Sequence, residues 1–267
     1  MIDADTRVFC VFGNPVRHSK GPIIHNAALK KQGINAVYLA FEVQDAAQAV
    51  QAVRTLDIRG ASVTIPFKES VMAHIDWIDP TARAIGAVNT LVNDDGVLKG
   101  YNTDCLAAVA PLIPFGIAGK TVCIVGAGGA ARAVAYGIAA HKANIIITNR
   151  TEQKGLSLAQ AVHGLFIPAR EMESIKADVL INTTSIGMTP KEDQISFPAG
   201  ALTSDMVVMD VVYTPLKTRL LEAAEQKRCT TIDGLSMFIA QAAAQFELWT
   251  GVTPDTDLMR SILSSNM

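Results

Sequence analysis

The sequence has no run of basic residues. Its 23 lysines and arginines stand against 25 aspartates and glutamates, a formal net charge of −2, and nothing in that balance recommends nucleic acid or a membrane surface as a partner. Charge of either sign is scarce, at 18% of residues against 49% hydrophobic, which suits a well-packed globule. The four cysteines, Cys10, Cys105, Cys123 and Cys229, are scattered and form no C-x-x-C pair. They fit neither a zinc site nor a disulfide framework, so no metal is expected and a reducing cytoplasm is the natural compartment. The most apolar long window, around residues 121–140, is broken by glycines and by Arg132 and is no membrane span. Met1 to Asp5 carry acids where a signal peptide would carry lysine or arginine. There is no internal repeat and no low-complexity segment. At 267 residues the chain is near the size where one core gives way to two domains.

The most informative stretch runs from Thr121 to Arg150. Thr121 to Val125 reads as a short buried strand, apolar and rich in β-branched residues. Gly126-Ala127-Gly128-Gly129-Ala130-Ala131 follows at once and Ala131 to Ala140 continues as a helix. This is the G-x-G-x-x-A dinucleotide loop in its required setting, strand before and helix after. Gly126 permits the tight turn, Gly128 admits a pyrophosphate close to the backbone, and Ala131 lets helix and strand pack closely. The helix N-terminus then offers free N–H groups and a positive dipole end to the phosphates. A bare surface turn is the plainer alternative, made less attractive by the two flanks.

Asn144 to Thr148 is again strand-like, closed by Asn149-Arg150-Thr151. An NAD site places a carboxylate about twenty residues past the first glycine, to accept from the ribose 2′-hydroxyl. Here Arg150 stands there instead. A guanidinium pairs with a 2′-phosphate, each charge-assisted bond contributing roughly 1.5–3 kcal/mol, so NADP is expected over NAD. Arg150 as a solvated surface charge is the alternative.

The rest of the chain reads as alternating strands and helices, an α/β fold. Expected strands are Val8–Phe12, Val37–Val43, Ala61–Ile65, a hairpin of Val88–Val92 and Val97–Tyr101, then Val179–Thr184 and Val207–Tyr213. Expected helices begin at Pro22, after Asp45 with Leu56 on the inner face, at Glu69, at Thr103 running to Ile113, at Thr151, at Pro215 and at Gly234. The last of these, to Thr250, is expected to leave the nucleotide domain and cap the first. That gives a discontinuous first domain, residues 1–104 and 235–267, around a dinucleotide domain, residues 105–234.

Polar clusters fall at the strand ends, where open α/β sheets bind ligands. They include Asn14 with Ser19, Thr64 with Lys68, Asn89-Thr90, Asn102-Thr103-Asp104, Thr183-Thr184-Ser185, and Gln241 on the last helix. Lys68 and Asp104 are the titratable groups that stand out. A hydride leaving an alcohol carbon needs a group to take the hydroxyl proton, and a positioned acid–base contributes roughly 10²–10⁴ in rate. Taken singly, Lys68 also suits a surface ion pair and Asp104 a helix N-cap.

Gly13-Asn14-Pro15, His18-Ser19-Lys20, Val63 to Lys68, Gly86 to Thr90, Asn102-Thr103-Asp104, Gly126 to Ala130, Thr148 to Thr151, Asp233-Gly234-Leu235 and Ala240 to Ala243 together resemble the shikimate dehydrogenase family, in family order over nearly the whole chain. The resemblance implies reduction of 3-dehydroshikimate to shikimate with NADPH by a substrate domain and a Rossmann domain. It implies Lys68 as the acid–base with Asp104 as partner. Asn89 and Gln241 would hold substrate hydroxyls, Thr64 and Ser19 the ring and carboxylate, and Tyr213 a further carboxylate contact. Asn149, Arg150 and Thr151 match the segment around the 2′-phosphate, Thr184 joins the cofactor set, and Gly234 and Met237 lie where the family approaches the nicotinamide. A monomer or homodimer is expected. The family's Ser-x-Ser becomes Ser19-Lys20-Gly21 here. Loss of one bond to a charged group costs roughly 1.5–3 kcal/mol, so Gly21 either weakens shikimate binding or makes room for quinate, which carries an extra hydroxyl on the carbon that bears the carboxylate.

Overall fold

The computed structural model describes residues 2–17 and 19–265. His18, named above in a sequence motif, lies outside the described residues. The chain forms two compact units, residues 1–103 with 241–267 and residues 104–240.

The first unit runs β1 (Arg7–Gly13), α1 (Gly21–Lys31), β2 (Ala36–Glu42), α2 (Ala46–Thr55), β3 (Gly60–Val63), β4 (Trp77–Ile78), α3 (Pro80–Ile85), β5 (Thr90–Asp94) and β6 (Val97–Tyr101). Its sheet has the order β2-β1-β3-β5-β6-β4. Strands β1, β2 and β3 are parallel, and β5 is antiparallel to both β3 and β6. Asp95 and Gly96 join β5 to β6 with φ of 48° and 92°, the two positive φ angles that a two-residue type I′ hairpin demands.

One sheet face packs Cys10, Phe12 and Val63 against Val50 and Val53 of α2. The other stacks His25 on Tyr38, with Trp249 tilted against both. Strand β2 alternates Val37, Leu39 and Phe41 with Tyr38, Ala40 and Glu42, and the more apolar of these faces is not the buried one. Leu39 and Phe41 stay 44% and 40% exposed while Tyr38 is buried. The strand is an edge, and none of its side chains joins the α2 core, so the face beside α1 takes the burial. Leu56 is likewise exposed, because it sits past the last turn of α2. The expected helix at Glu69 is a single 3₁₀ turn, Ser70–Ala73.

The second unit contains β7 (Thr121–Val125), α5 (Gly129–Ala140), β8 (Asn144–Asn149), α6 (Glu152–Ala161), β9 (Leu165–Pro168), β10 (Val179–Asn182), β11 (Val207–Asp210), α7 (Arg219–Gln226) and β12 (Thr230–Ile232). Helix α4 (Thr103–Val109), α8 (Gly234–Thr250) and α9 (Thr256–Ser264) complete the chain, and α8 passes from one unit to the other at Gln241. The second sheet is wholly parallel in the order β12-β11-β10-β7-β8-β9, the doubly wound arrangement of dinucleotide-binding folds. Both faces are covered. Val122 and Ile124 belong to one core with α5, and Cys123 and Val125 to another with α7, which is why the strands read as unbroken apolar runs.

Two expected helices are shorter than their patterns. The one from Thr103 turns to 3₁₀ at Ala110–Phe115, where Pro111 and Pro114 interrupt regular α-helical bonding. The one from Pro215 starts only at Arg219. The Thr218 hydroxyl caps it while donating to Asp210, and that anchor fixes the start. Strands β9 and β12 are three or four residues long and too short to show a period.

Candidate active site

In the first unit the ligand-type side chains gather at one sheet edge. The carboxyl ends of β1, β3 and β6 and the amino end of β5 lie together there, because β5 runs against β3 and β6. Ser19 follows β1, and Thr64 and Lys68 follow β3. The Asn14 N–H donates to the Ile65 carbonyl at 2.9 Å and the Thr64 N–H to that of Phe12 at 3.1 Å, fastening the first loop to the one that carries Lys68. The Lys68 carbonyl accepts from Val88 N–H at 2.8 Å, which fixes its backbone beside the lead-in to β5. Lys68 itself is half-buried.

Asn89 precedes β5 and is 2% exposed. Its Oδ1 accepts from Thr103 N–H at 2.8 Å and from the Thr90 hydroxyl at 2.7 Å. Gln245 of α8 donates to the Asn89 carbonyl at 3.2 Å, and Trp249 Nε1–H to that of Leu91 at 2.9 Å. The helix therefore runs along β5 toward this edge as its residue numbers fall. Gln241, one turn before Gln245, is on the same helix face and nearer the edge.

In the second unit the glycine loop sits at the point where the strand order reverses, between β7 and β10. Gly126 has φ of +120°, and a β-carbon there would come 2.5 Å from Thr183 Oγ1, so only glycine fits. A β-carbon on Gly128 or Gly129 would meet nothing within 4 Å. Their smallness does no internal packing and leaves an open cradle at the N-terminus of α5, whose N-cap has no side-chain partner. Ala127 is half-buried and Ala130 exposed, while Ala131 is fully buried.

At the end of β8, Asn149 Nδ2 donates to the Thr151 carbonyl at 2.8 Å, shaping the turn that presents Arg150. Arg150 is exposed, and no hydrogen bond or ion pair holds it among the described residues. Thr151 is the N-cap of α6 with no side-chain cap bond. Thr184 closes a turn after β10 by donating to Asn182 Oδ1 at 2.7 Å. An open glycine cradle, a free guanidinium and an uncapped helix start are the donor set that a phosphorylated dinucleotide requires.

Comparison with known proteins agrees along the chain. Residues 11–91 match the shikimate dehydrogenase substrate binding domain, residues 110–211 the shikimate / quinate 5-dehydrogenase family, and residues 234–263 the shikimate 5'-dehydrogenase C-terminal domain. The chain is 43% identical over 265 residues to the shikimate dehydrogenase (NADP(+)) of Pyrococcus furiosus, covering 98% of this chain and 97% of that one. The chain belongs to the shikimate dehydrogenase family. Among solved structures, a shikimate dehydrogenase in complex with NADP+ superposes with a TM-score of 0.94 at 41% identity, covering 100% of this chain and 97% of that one. The Thermus thermophilus shikimate 5-dehydrogenase in complex with NADP(H) and shikimate gives 0.91 at 34% identity, covering 98% and 100%.

Against the family's residue pattern, Ser19, Thr64, Lys68, Asn89 and Gln241 fall in the first unit, and Asp104 and Tyr213 in the second. The Tyr213 ring lies 5.2 Å from that of Phe238, and burial pushes its hydroxyl above the ordinary tyrosine range. Gly234 packs so tightly that a β-carbon would collide with the Val211 and Val212 carbonyls. Met237 is 8% exposed, within the core of its unit. The room left by Gly21 is bounded on one side, since a β-carbon there would meet Tyr38 at 3.2 Å and Ser19 Oγ at 3.3 Å.

Several buried polar residues escaped the sequence reading. Asp210 is fully buried and accepts from Asn182 Nδ2, Val212 N–H and the Thr218 hydroxyl at 2.7–3.0 Å. Desolvation raises its carboxyl pKa, against those three hydrogen bonds. Through Asn182 it braces the Thr184 turn, and through Val212 the backbone before Tyr213. Ser62 and Gln245 are 8% and 2% exposed. A glutamine four residues after Gln241, within the otherwise apolar run 239–246, was the signal available for the second.

Proposed function

We propose that this protein is an NADP-dependent shikimate dehydrogenase, interconverting the C3 alcohol of shikimate and the ketone of 3-dehydroshikimate. NADP, when bound, takes up the hydride in oxidation and as NADPH returns it in reduction. Lys68 takes the hydroxyl proton in one direction and gives it back in the other, partnered by Asp104. Asn89 and Gln241 hold ring hydroxyls, and Ser19, Thr64 and Tyr213 hold the ring and carboxylate. Gly126 to Ala130 lie along the pyrophosphate, Asn149, Arg150 and Thr151 bind the 2′-phosphate, and Thr184, Gly234 and Met237 border the rest of the cofactor. The discontinuous division, 1–104 with 235–267 for substrate and 105–234 for NADP, serves the same reading.

What carries the reading is that a member of this family keeps Lys68 and Asp104 together with Asn89 and Gln241. A nucleotide-binding sensor with no chemistry would have no use for that set. Four buried cysteines outside any disulfide suit a reducing compartment, and the reading places the protein in the cytoplasm as a monomer or homodimer. A quinate-directed reading rests on Gly21, which leaves Ser19 as the loop's one hydroxyl at that position. The test is NADPH formation by purified protein with shikimate and, separately, quinate. The reading expects turnover with shikimate and a higher kcat/KM for it than for quinate. Cofactor binding without turnover of either ring would leave the sensor in its place.

A further inference from the structure

A single line of buried hydrogen bonds crosses the first unit. The Tyr38 hydroxyl donates to Ser62 Oγ at 2.7 Å, and the Ser62 hydroxyl to Gln245 Oε1 at 2.8 Å. Gln245 Nε2 donates to Thr90 Oγ1 at 3.1 Å, and the Thr90 hydroxyl to Asn89 Oδ1 at 2.7 Å. Tyr38, Ser62, Gln245, Thr90 and Asn89 are all at most 8% exposed. Tyrosine and serine hydroxyls can donate or accept, but an amide has one donor end and one acceptor end. Gln245 therefore sets the sense of the line. With its oxygen committed to Ser62, its nitrogen must face Thr90, and the Thr90 proton then has Asn89 Oδ1 as its acceptor.

The consequence falls on Asn89. Its Oδ1 is taken by Thr90 and by Thr103 N–H. Its Nδ2 gives one proton to Thr103 Oγ1 at 3.0 Å, and the second N–H has no acceptor among the described residues. A buried donor left unmet costs about 1–3 kcal/mol, and a ligand oxygen supplies what the protein does not. We infer that Gln245, with Ser62 behind it, is a positioning residue that holds the Asn89 amide in one orientation, so that Asn89 meets the ring only as a donor to a hydroxyl oxygen. The inference rests on the shikimate reading above.

Without Gln245 the Thr90 hydroxyl is free to turn to Thr103 Oγ1, 3.3 Å away, and the Asn89 amide loses one of the bonds that fix it. Gln245→Met keeps the volume and removes the polarity. The expected result is a KM for shikimate raised about five- to tenfold, the scale of one hydrogen bond. kcat and the KM for NADP should stay within about twofold.

Gln245→Glu supplies a second reading by pH. A carboxylate accepts from Ser62 but cannot donate to Thr90, whereas a protonated carboxyl does both. Burial raises a carboxyl pKa, so the ratio of variant to wild-type KM should rise from near one at pH ~5.5 as pH increases. Burial pushes Cys10 up to about 12 and Tyr38 above its ordinary range. It pushes His25, which bonds Gln245, down to about 3, and the same KM ratio measured in a His25→Asn background separates the new carboxyl from the imidazole beside it.

Turnover of shikimate by the wild-type protein judges the activity itself, separately from the relay. An unchanged shikimate KM in folded Gln245→Met overturns the inference, since a purely structural glutamine would lower Tm and leave KM alone. If that variant does not fold, Gln245→Glu decides, and a KM ratio that is flat with pH overturns it.

Discussion

Arg150 and Asp210 illustrate how differently two charged side chains serve the second unit. Arg150 is exposed and holds no protein partner among the described residues, so removing it should cost the fold little. Arg150→Ala should raise the KM for NADP about ten- to a hundredfold, the loss of roughly 1.5–3 kcal/mol from a charge-assisted bond, and leave that for NAD nearly unchanged. Equal loss with both cofactors would contradict the 2′-phosphate role. Asp210 is buried and structural. Its folded pKa is raised from 3.8, chiefly by desolvation. A raised folded pKa means that the folded state binds the proton more tightly than the unfolded one. This contribution is thus present below pH 3.8 and lost as pH climbs through the folded value. Denaturant titrations should show Asp210→Asn gaining on the wild type as pH rises above 3.8, while Asp210→Ala, which abandons three donors, should be less stable than Asp210→Asn by about 1–3 kcal/mol at any pH. Arg150 was legible in the sequence because its position is counted from a glycine motif. Asp210 was not, since nothing local distinguishes a buried aspartate at a strand end from a solvated one.

At the scale of elements, the glycine loop separates fold from function within a few residues. Gly126→Ala should destabilise the second unit, because the new β-carbon meets Thr183 and φ of +120° suits only glycine. Gly128→Ala adds a β-carbon that meets no protein atom within 4 Å, so Tm should hold while the KM for NADP rises about tenfold. A drop in Tm as large as that of Gly126→Ala would contradict the open cradle. Strand β7, helix α5, strand β8 and helix α8 were readable because each is a long or sharply bounded pattern. Strands β4, β9 and β12 were missed because their few residues carry no period, and the sheet edge they join decides their state; helix α9 was missed although Asp255 caps it and Met259 and Leu263 mark a buried face. Strand β2 shows the limit from the other side: its alternation was plain, but which face would be buried depends on where α1 and α2 land.

For the molecule as a whole, the cysteine pattern gives a direct check. All four cysteines are buried and none is in a disulfide, and burial pushes Cys10 and Cys123 up to about 12, so little thiolate exists near neutral pH. A thiol-specific disulfide reagent should modify the native protein slowly and all four cysteines after denaturation; rapid reaction of all four in the native state would contradict the packing described. The chain divides into residues 1–103 with 241–267 and residues 104–240. The crossing point inside α8 was not legible in the sequence, since no residue along that helix marks it.

The central claim is that Lys68 moves the proton as hydride passes between a carbocyclic alcohol and NADP. The direct measurement is the initial rate of NADPH formation from shikimate and NADP by wild-type protein and by Lys68→Met, with folding checked by Tm. The account predicts wild-type turnover and a kcat lower by roughly 10²–10⁴ in the variant, at a Tm within a few degrees of wild type. A Lys68→Met protein that turns shikimate over at the wild-type rate would contradict it.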